Sequence, residues 1–395
     1  MKILLLHASA GAGHRRAAEA LSKAFQQARP DAEVKVCDIL DYTAGIFRKT
    51  YSEGYLDLVR KAPELWGYLY SEADRKGDVA WRKEIRSIFN KVNTLSFLKF
   101  YKEYDPDIAV CTHFMPLQLL TRASRRRRRH AKVYCAVTDF AVHALWILEN
   151  TDTYYVAMEE ARRHLLRRGQ PADRVMVTGI PIDPVFQQGQ SKADALKTLG
   201  LPDDLPVVLL LSGGFGVGPT LDLIRAFGQE EPVCRLVVVA GANEAMKREA
   251  EALAATIRTP VVVHGFVSNI HVMMDACDLV ISKPGGLTTS EVLAKGRPML
   301  VINPIPGQEQ RNCETVLEAG AAARLFEVED AYYKVRSLLQ DRELMDQMSR
   351  RAKRMGHPEA ATAIVADILS RQISEENRKK EPTCPEPNSS TMSAW

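Results

Sequence analysis

Along residues 1–180, short apolar runs rich in β-branched residues alternate with stretches whose apolar positions recur every three to four residues. The runs predict strands near 2–8, 33–38, 107–112, 132–138, 153–157 and 175–178. The first run, KILLLHA, passes through small residues into HRRAAEALSKAFQQA, where Ala17, Ala20, Leu21, Ala24 and Phe25 share one helical face. Strand, glycine turn and helix open a βαβ unit, which implies a parallel sheet. The segment 179–186 (GIPIDPVF) breaks the alternation. Pro181 and Pro184 suit neither a helix interior nor a central strand, so it reads as an interdomain linker. A second alternation then predicts strands near 206–212, 235–240, 260–264, 278–282 and 298–302. The expected architecture is α/β, with two doubly wound, Rossmann-like domains over 1–180 and 181–357. One more helix is expected at 358–373, with Pro358 at its first turn, and the polar, Pro-rich stretch 374–395 is expected to be disordered. No repeat of 20–50 residues is visible.

Composition narrows this little. The chain has 395 residues, 46% apolar and 26% charged, which excludes a mostly disordered polymer and suits two domains. No apolar run approaches the roughly 18 residues of a membrane-spanning helix, and the opening MKILLLHAS lacks a cleavage-type region. Seven cysteines at 37, 111, 135, 234, 277, 313 and 384 form no C-x-x-C pair, so reduced cytosolic thiols are expected. Charge is more informative. The net +4 divides into 30 basic and 21 acidic residues over 1–180, and an acidic excess of five beyond it. Only the first half is then expected to meet something anionic.

Ligands of doubly wound sheets bind beyond the carboxyl ends of the strands where the order reverses. With strand order 3-2-1-4-5-6 assumed in both halves, the residues after strands 1 and 4 matter most. These are Gly11, Gly13, His14, Thr138, Asp139 and Phe140 in the first half. In the second they are SGGFGVG (212–218) and SKPGG (282–286).

SKPGGLTTSE reads as an anion site. Gly285 and Gly286 permit close backbone approach, a helix opening near Leu287 offers free N–H groups, and Thr288 adds a hydroxyl. Glu291, one turn in, could accept both hydroxyls of a ribose. No G-x-x-x-x-G-K-[ST] or G-x-G-x-x-G fingerprint is present. His14, at a helix start, is the best general-base candidate, and Asp139 could orient it. His113 and His143 suit core or capping roles better. In NPIPGQEQRN (303–312), Gln308, Glu309 and Asn312 suit a polyhydroxylated ligand. The run Arg125, Arg126, Arg127, Arg128 and Arg129 is either a solvated face or a contact to anionic lipid or nucleic acid. No nucleic-acid fold signature accompanies it. The aromatics of 51–70, Trp66 among them, suit a core or a membrane interface.

The segments LHASAGAGHRRAAEAL, VTDFAVHALW, TGIPI, ISKPGGLTTSEVLAKGRPML and PIPGQEQRN resemble the diacylglycerol glycosyltransferases. These comprise bacterial processive glucosyltransferases and plant monogalactosyldiacylglycerol synthases, with MurG as a more distant relative. The resemblance covers about residues 1–370. It implies a GT-B fold and an inverting, metal-independent transfer from a UDP-sugar to a lipid hydroxyl, with no cofactor. It makes His14 the base. Phe266 and Val267 would hold uracil, Glu291 the ribose, and Gly286, Leu287 and Thr288 the diphosphate. Gln308 and Glu309 would bind the sugar, and Gly214 and Phe215 would approach the diphosphate. Gly13, His143, Trp66 and Arg125–Arg129 fall on the acceptor and membrane side. The expected partners are UDP-glucose or UDP-galactose, diacylglycerol and anionic membrane lipids, met peripherally on the cytoplasmic face, and no nucleic acid. Protein partners stay open. Rival expectations are a transferase acting on a polyprenyl-linked acceptor, a UDP-sugar epimerase, and a non-catalytic UDP-sugar sensor. The arginine run and the C-terminal stretch depart from the family pattern.

Overall fold

A computed structural model of the chain describes residues 1–9, 11–43, 94–124, 131–148, 150–213, 218–228 and 230–380. Two six-stranded sheets organise them. The first holds β1 (Lys2–His7), β2 (Glu33–Asp38), β3 (Ile108–Cys111), β4 (Lys132–Ala136), β5 (Thr153–Val156) and β6 (Val175–Val177), in the order β2-β1-β3-β4-β5-β6. The second holds β7 (Val207–Leu211), β8 (Arg235–Val239), β9 (Val261–His264), β10 (Leu279–Ser282), β11 (Met299–Val301) and β12 (Ala322–Arg324), in the order β12-β11-β10-β7-β8-β9. Every pairing is parallel.

Parallel sheets need helices on both faces, so their central strands read as unbroken apolar runs. β7 (VVLLL) and β10 (LVIS) are buried at every position. The first helix (Ala12–Ala28) buries Ala17, Ala18, Ala20, Leu21, Ala24 and Phe25. Ile364, Val365 and Ile368 of the last helix (Ala360–Lys380) join the same cluster on the first sheet. Tyr155 on β5 donates to Asp367 of that helix (2.8 Å), which in turn holds Arg371 (2.6 Å). The C-terminal segment therefore completes the N-terminal half.

Three expectations change. The assumed strand order holds in the second half, where β7 pairs with β10, but not in the first. There β1 pairs with β3, and β4 lies one strand further out. Apolar patterning locates strands without revealing where the chain crosses back, which is what sets the order. β12, a short Ala-Ala-Arg strand, has no apolar run to announce it. The last helix also continues through SEENRKK to Lys380, where disorder was expected from 374. Those residues are polar but helix-compatible, and the first proline lies beyond them.

The two halves touch through specific residues. Lys23 of the first helix pairs with Asp183 in the linker (2.5 Å), and Arg16 pairs with Glu291. Ile180 and Ile182, also in the linker, are buried with second-half residues such as Leu287 and Val292.

Candidate active site

The first helix begins behind Gly11, whose φ of 143° and ψ of 157° an L side chain rarely adopts. This turn brings the half-buried His14 over the carboxyl end of β3. Its Nδ1 lies 2.9 Å from the Thr112 carbonyl oxygen and 2.8 Å from Thr138 Oγ1. The Thr112 hydroxyl donates back to the His14 carbonyl (2.8 Å). A carbonyl oxygen can only accept, so Nδ1 carries the proton and Nε2 keeps its lone pair. Burial lowers the His14 pKa to about 4, against the opposing pull of the Thr112 carbonyl. The ring is therefore neutral at ordinary pH.

Two more rings flank it. His113 meets His14 edge-on with centroids 4.5 Å apart, and Trp146 lies 6.4 Å away. The Met115 N–H donates to His113 Nδ1 (3.1 Å), a capping role. Burial also holds His113 well below the usual histidine range.

The second half presents two helix starts. The helix Gly286–Ala294 opens after Gly285, and the helix Gln308–Glu318 opens after Gly307. A Cβ on Gly285 would sit 3.9 Å from Glu309 Oε1, so the two starts adjoin. Glu309 accepts from the Ile305 N–H (2.9 Å), and burial raises its pKa despite that bond and nearby Lys283. Lys283 also borders Gly218, where a Cβ would lie 3.8 Å from Lys283 Cε. This lysine stands inside the SKPGG motif, where nothing in the charge pattern sets it apart from a solvated side chain. Glu291 is 2% exposed, and burial pushes its carboxyl up to about 7 against the Arg16 guanidinium. Leu287 is buried, Thr288 half-buried, and Gln308 half-buried at the first turn of its helix. Phe266, after β9, is 81% exposed, while Val267 beside it packs onto the core.

The halves meet at the base. A Cβ on Gly286 would lie 2.1 Å from the Thr138 carbonyl oxygen, so only glycine permits this approach. A Cβ on Gly13 would lie 3.9 Å from Leu287 Cβ. Asn312, fully buried, accepts from the Phe140 N–H (3.1 Å) and donates to the Pro284 carbonyl (3.1 Å). It also bonds the Asp139 side chain, whose pKa burial nevertheless raises to about 7.

Several expectations are redistributed. Asp139 does not orient His14, because the oxygens on Nδ1 belong to Thr112 and Thr138. Thr112 directly follows β3, the strand that the assumed order kept away from β1. Asn312 engages both ends of its amide in joining the halves rather than facing a ligand. His143 is buried, and its Nδ1 accepts from the Leu145 N–H (3.2 Å), which caps a turn. Trp66, Arg125–Arg129, Gly214 and Phe215 lie outside the described residues. Six cysteines are free and buried. Among the described residues no helix is long and apolar enough to cross a membrane.

The monogalactosyldiacylglycerol (MGDG) synthase family matches residues 14–182, and the glycosyl transferases group 1 family matches 198–355. The processive diacylglycerol beta-glucosyltransferase of Bacillus mycoides (strain KBAB4) is 30% identical over 385 residues, 95% of each chain. That of Bacillus cereus (strain 03BB102) is equally similar, at 30% over 385 residues. The chain belongs to the diacylglycerol glycosyltransferase family. Solved structures agree on the fold of this glycosyltransferase. Acinetobacter baumannii MurG aligns with a TM-score of 0.59 at 16% identity, over 93% of this chain and 99% of its own. The S. aureus MnaA–UDP co-structure also aligns at 0.59, with 15% identity over 94% of this chain and 97% of its own. Two facing parallel α/β halves of this kind are the GT-B fold.

Proposed function

We propose that the protein transfers glucose or galactose from a UDP-sugar to the hydroxyl of diacylglycerol with inversion, yielding a β-glycosyl diacylglycerol. The observation that carries this is the meeting of His14, Thr138 and Gly286. A neutral histidine with a free Nε2 stands against the glycine-opened start of the second-half helix. In this reading a general base and an anion site lie side by side where the two halves meet.

In this reading the acceptor hydroxyl gives its proton to His14 Nε2 as its oxygen attacks the anomeric carbon. The bond from that carbon to the diphosphate breaks, and its electron pair leaves with UDP. Free N–H groups of the helix Gly286–Ala294, with Thr288 and Lys283, stabilise the developing charge. Metal independence follows from those groups taking the role of a cation. Glu291 accepts ribose hydroxyls and shares its carboxylate with Arg16. Gln308 and Glu309 hold sugar hydroxyls, and Phe266 and Val267 border the uracil.

The test is incubation of purified protein with radiolabelled UDP-glucose or UDP-galactose and diacylglycerol, followed by chromatography of the lipids. Labelled glycosyl diacylglycerol is expected. Transfer to water alone, or transfer to a polyprenyl-linked acceptor in a parallel reaction with none to diacylglycerol, would overturn the reading. His14→Ala should cut transfer about 100- to 10,000-fold, with UDP affinity nearly intact. Loss of UDP binding would remove His14 from the base role.

A further inference from the structure

Among the described residues, no carboxylate takes the place at His14 that usually steadies a histidine base. In its place are two oxygens, the Thr112 carbonyl at 2.9 Å and Thr138 Oγ1 at 2.8 Å. The Nδ1 proton lies between them. The Thr138 hydroxyl, with its oxygen accepting from Nδ1, can direct its own proton to the same Thr112 carbonyl at 3.5 Å. The three groups form a closed donor–acceptor ring with no formal charge. If Thr138 instead donated to Nδ1, the ring nitrogen and the Thr112 carbonyl would face each other as two acceptors at 2.9 Å. That arrangement is repulsive.

Thr138 is in turn held by the other half of the molecule. Gly286 abuts its carbonyl so closely that a Cβ would come within 2.1 Å of the oxygen. Two residues on, the Phe140 N–H is held by Asn312 (3.1 Å), and Asn312 also holds the Pro284 carbonyl (3.1 Å). The segment 138–140 is therefore gripped at two points by the loop and helices that form the anion site.

We propose that Thr138 is a positioning residue for the base, sharing the Nδ1 proton that the Thr112 carbonyl also holds and coupling the orientation of the ring to the seating of the second-half helix. Proton uptake at Nε2 makes the ring a cation and its Nδ1–H a stronger donor. Thr138 Oγ1 then stabilises the cation in the place a carboxylate would fill. Because Gly286 and Asn312 seat the threonine, the base is set when the halves are together. This inference rests on His14 being the base.

Two measurements test it. The first uses 15N spectra of the histidine side chains in the unmodified enzyme, with His14 assigned by its loss in His14→Gln. The Nδ1–H tautomer is expected, and an Nε2–H tautomer would overturn the proposal. The second compares Thr138→Val with Thr138→Ser. The valine variant keeps the shape and removes the hydroxyl, so kcat should fall about 10-fold or more, with the KM for UDP-sugar within about twofold. Serine should restore most of the rate. Unchanged kcat in valine, a parallel rise in KM, or serine behaving like valine would each count against it. Should valine fail to fold, the serine variant and the tautomer measurement still decide. If His14→Ala remains active, the base reading fails on its own, and the His14 15N signals of Thr138→Val compared with those of the unmodified protein still report whether Thr138 shares the Nδ1 proton.

Discussion

At the scale of single residues, the site is a set of ionisable groups displaced from their ordinary protonation. Burial lowers His14 to about 4 and raises Glu291 and Asp139 to about 7. The signs differ in their effect on stability. A histidine with a lowered pKa costs stability as pH falls from 6.5 toward 4, because the unfolded chain binds the proton more readily. A carboxyl with a raised pKa contributes stability below its unfolded value and loses it as pH rises through about 7. At about pH 6.5 an unfolded histidine is still half charged, so the histidine and carboxyl effects oppose one another there, and a Glu291 variant isolates the carboxyl. Relative to the unmodified ligand-free protein, the unfolding temperature of Glu291→Gln should rise from about pH 5 to about pH 8. A difference that does not change with pH would show that Glu291 titrates elsewhere.

At the scale of elements, the decisive contact lies between a strand-end loop and a helix start. The close approach at Gly286 leaves no room for a methyl group beside the Thr138 carbonyl. Gly286→Ala should force the helix start away from the first half, at an overpacking cost of about 1–3 kcal/mol. The expected result is about a 10- to 100-fold loss of kcat/KM, with secondary structure retained by circular dichroism. An alanine variant with normal kcat/KM would show that this approach is not required in turnover. The same scale explains what was legible in the sequence. The glycines, His14 and Glu291 sit in recognisable strand–loop–helix motifs. Thr112 does not, because it follows β3 and its importance depends on β3 lying beside β1.

At the scale of the whole molecule, charge and architecture divide the work. Residues 1–180 hold 30 basic and 21 acidic residues, while the rest of the chain is acidic in balance. The last helix returns to this basic half through Ile364, Val365, Ile368 and the Tyr155–Asp367 bond, so the first and last helices belong to one body. A basic half suits an anionic bilayer surface, at about 1 kcal/mol for each basic residue close to it. Replacing Arg125–Arg129 with glutamine should weaken sedimentation with anionic vesicles, most at low ionic strength. Transfer to detergent-dispersed diacylglycerol should change much less. Equal sedimentation of both proteins would assign the run to a solvated face.

The sequence by itself determined where every strand but β12 falls, because a parallel sheet buried on both faces demands apolar runs. It also determined which loops carry glycine and polar chemistry, since backbone approach and helix starts require particular residue types. It could not determine the order β2-β1-β3-β4, which depends on crossovers between distant segments. Nor could it determine which oxygen faces His14. Asp139 lies next to Thr138 in the chain and by residue type is the stronger partner for an imidazole. The tertiary structure turns that carboxyl toward Asn312 and brings Thr138 and the Thr112 carbonyl to the ring. Side-chain direction in a loop is set by what packs against it, and here that is the other half of the molecule.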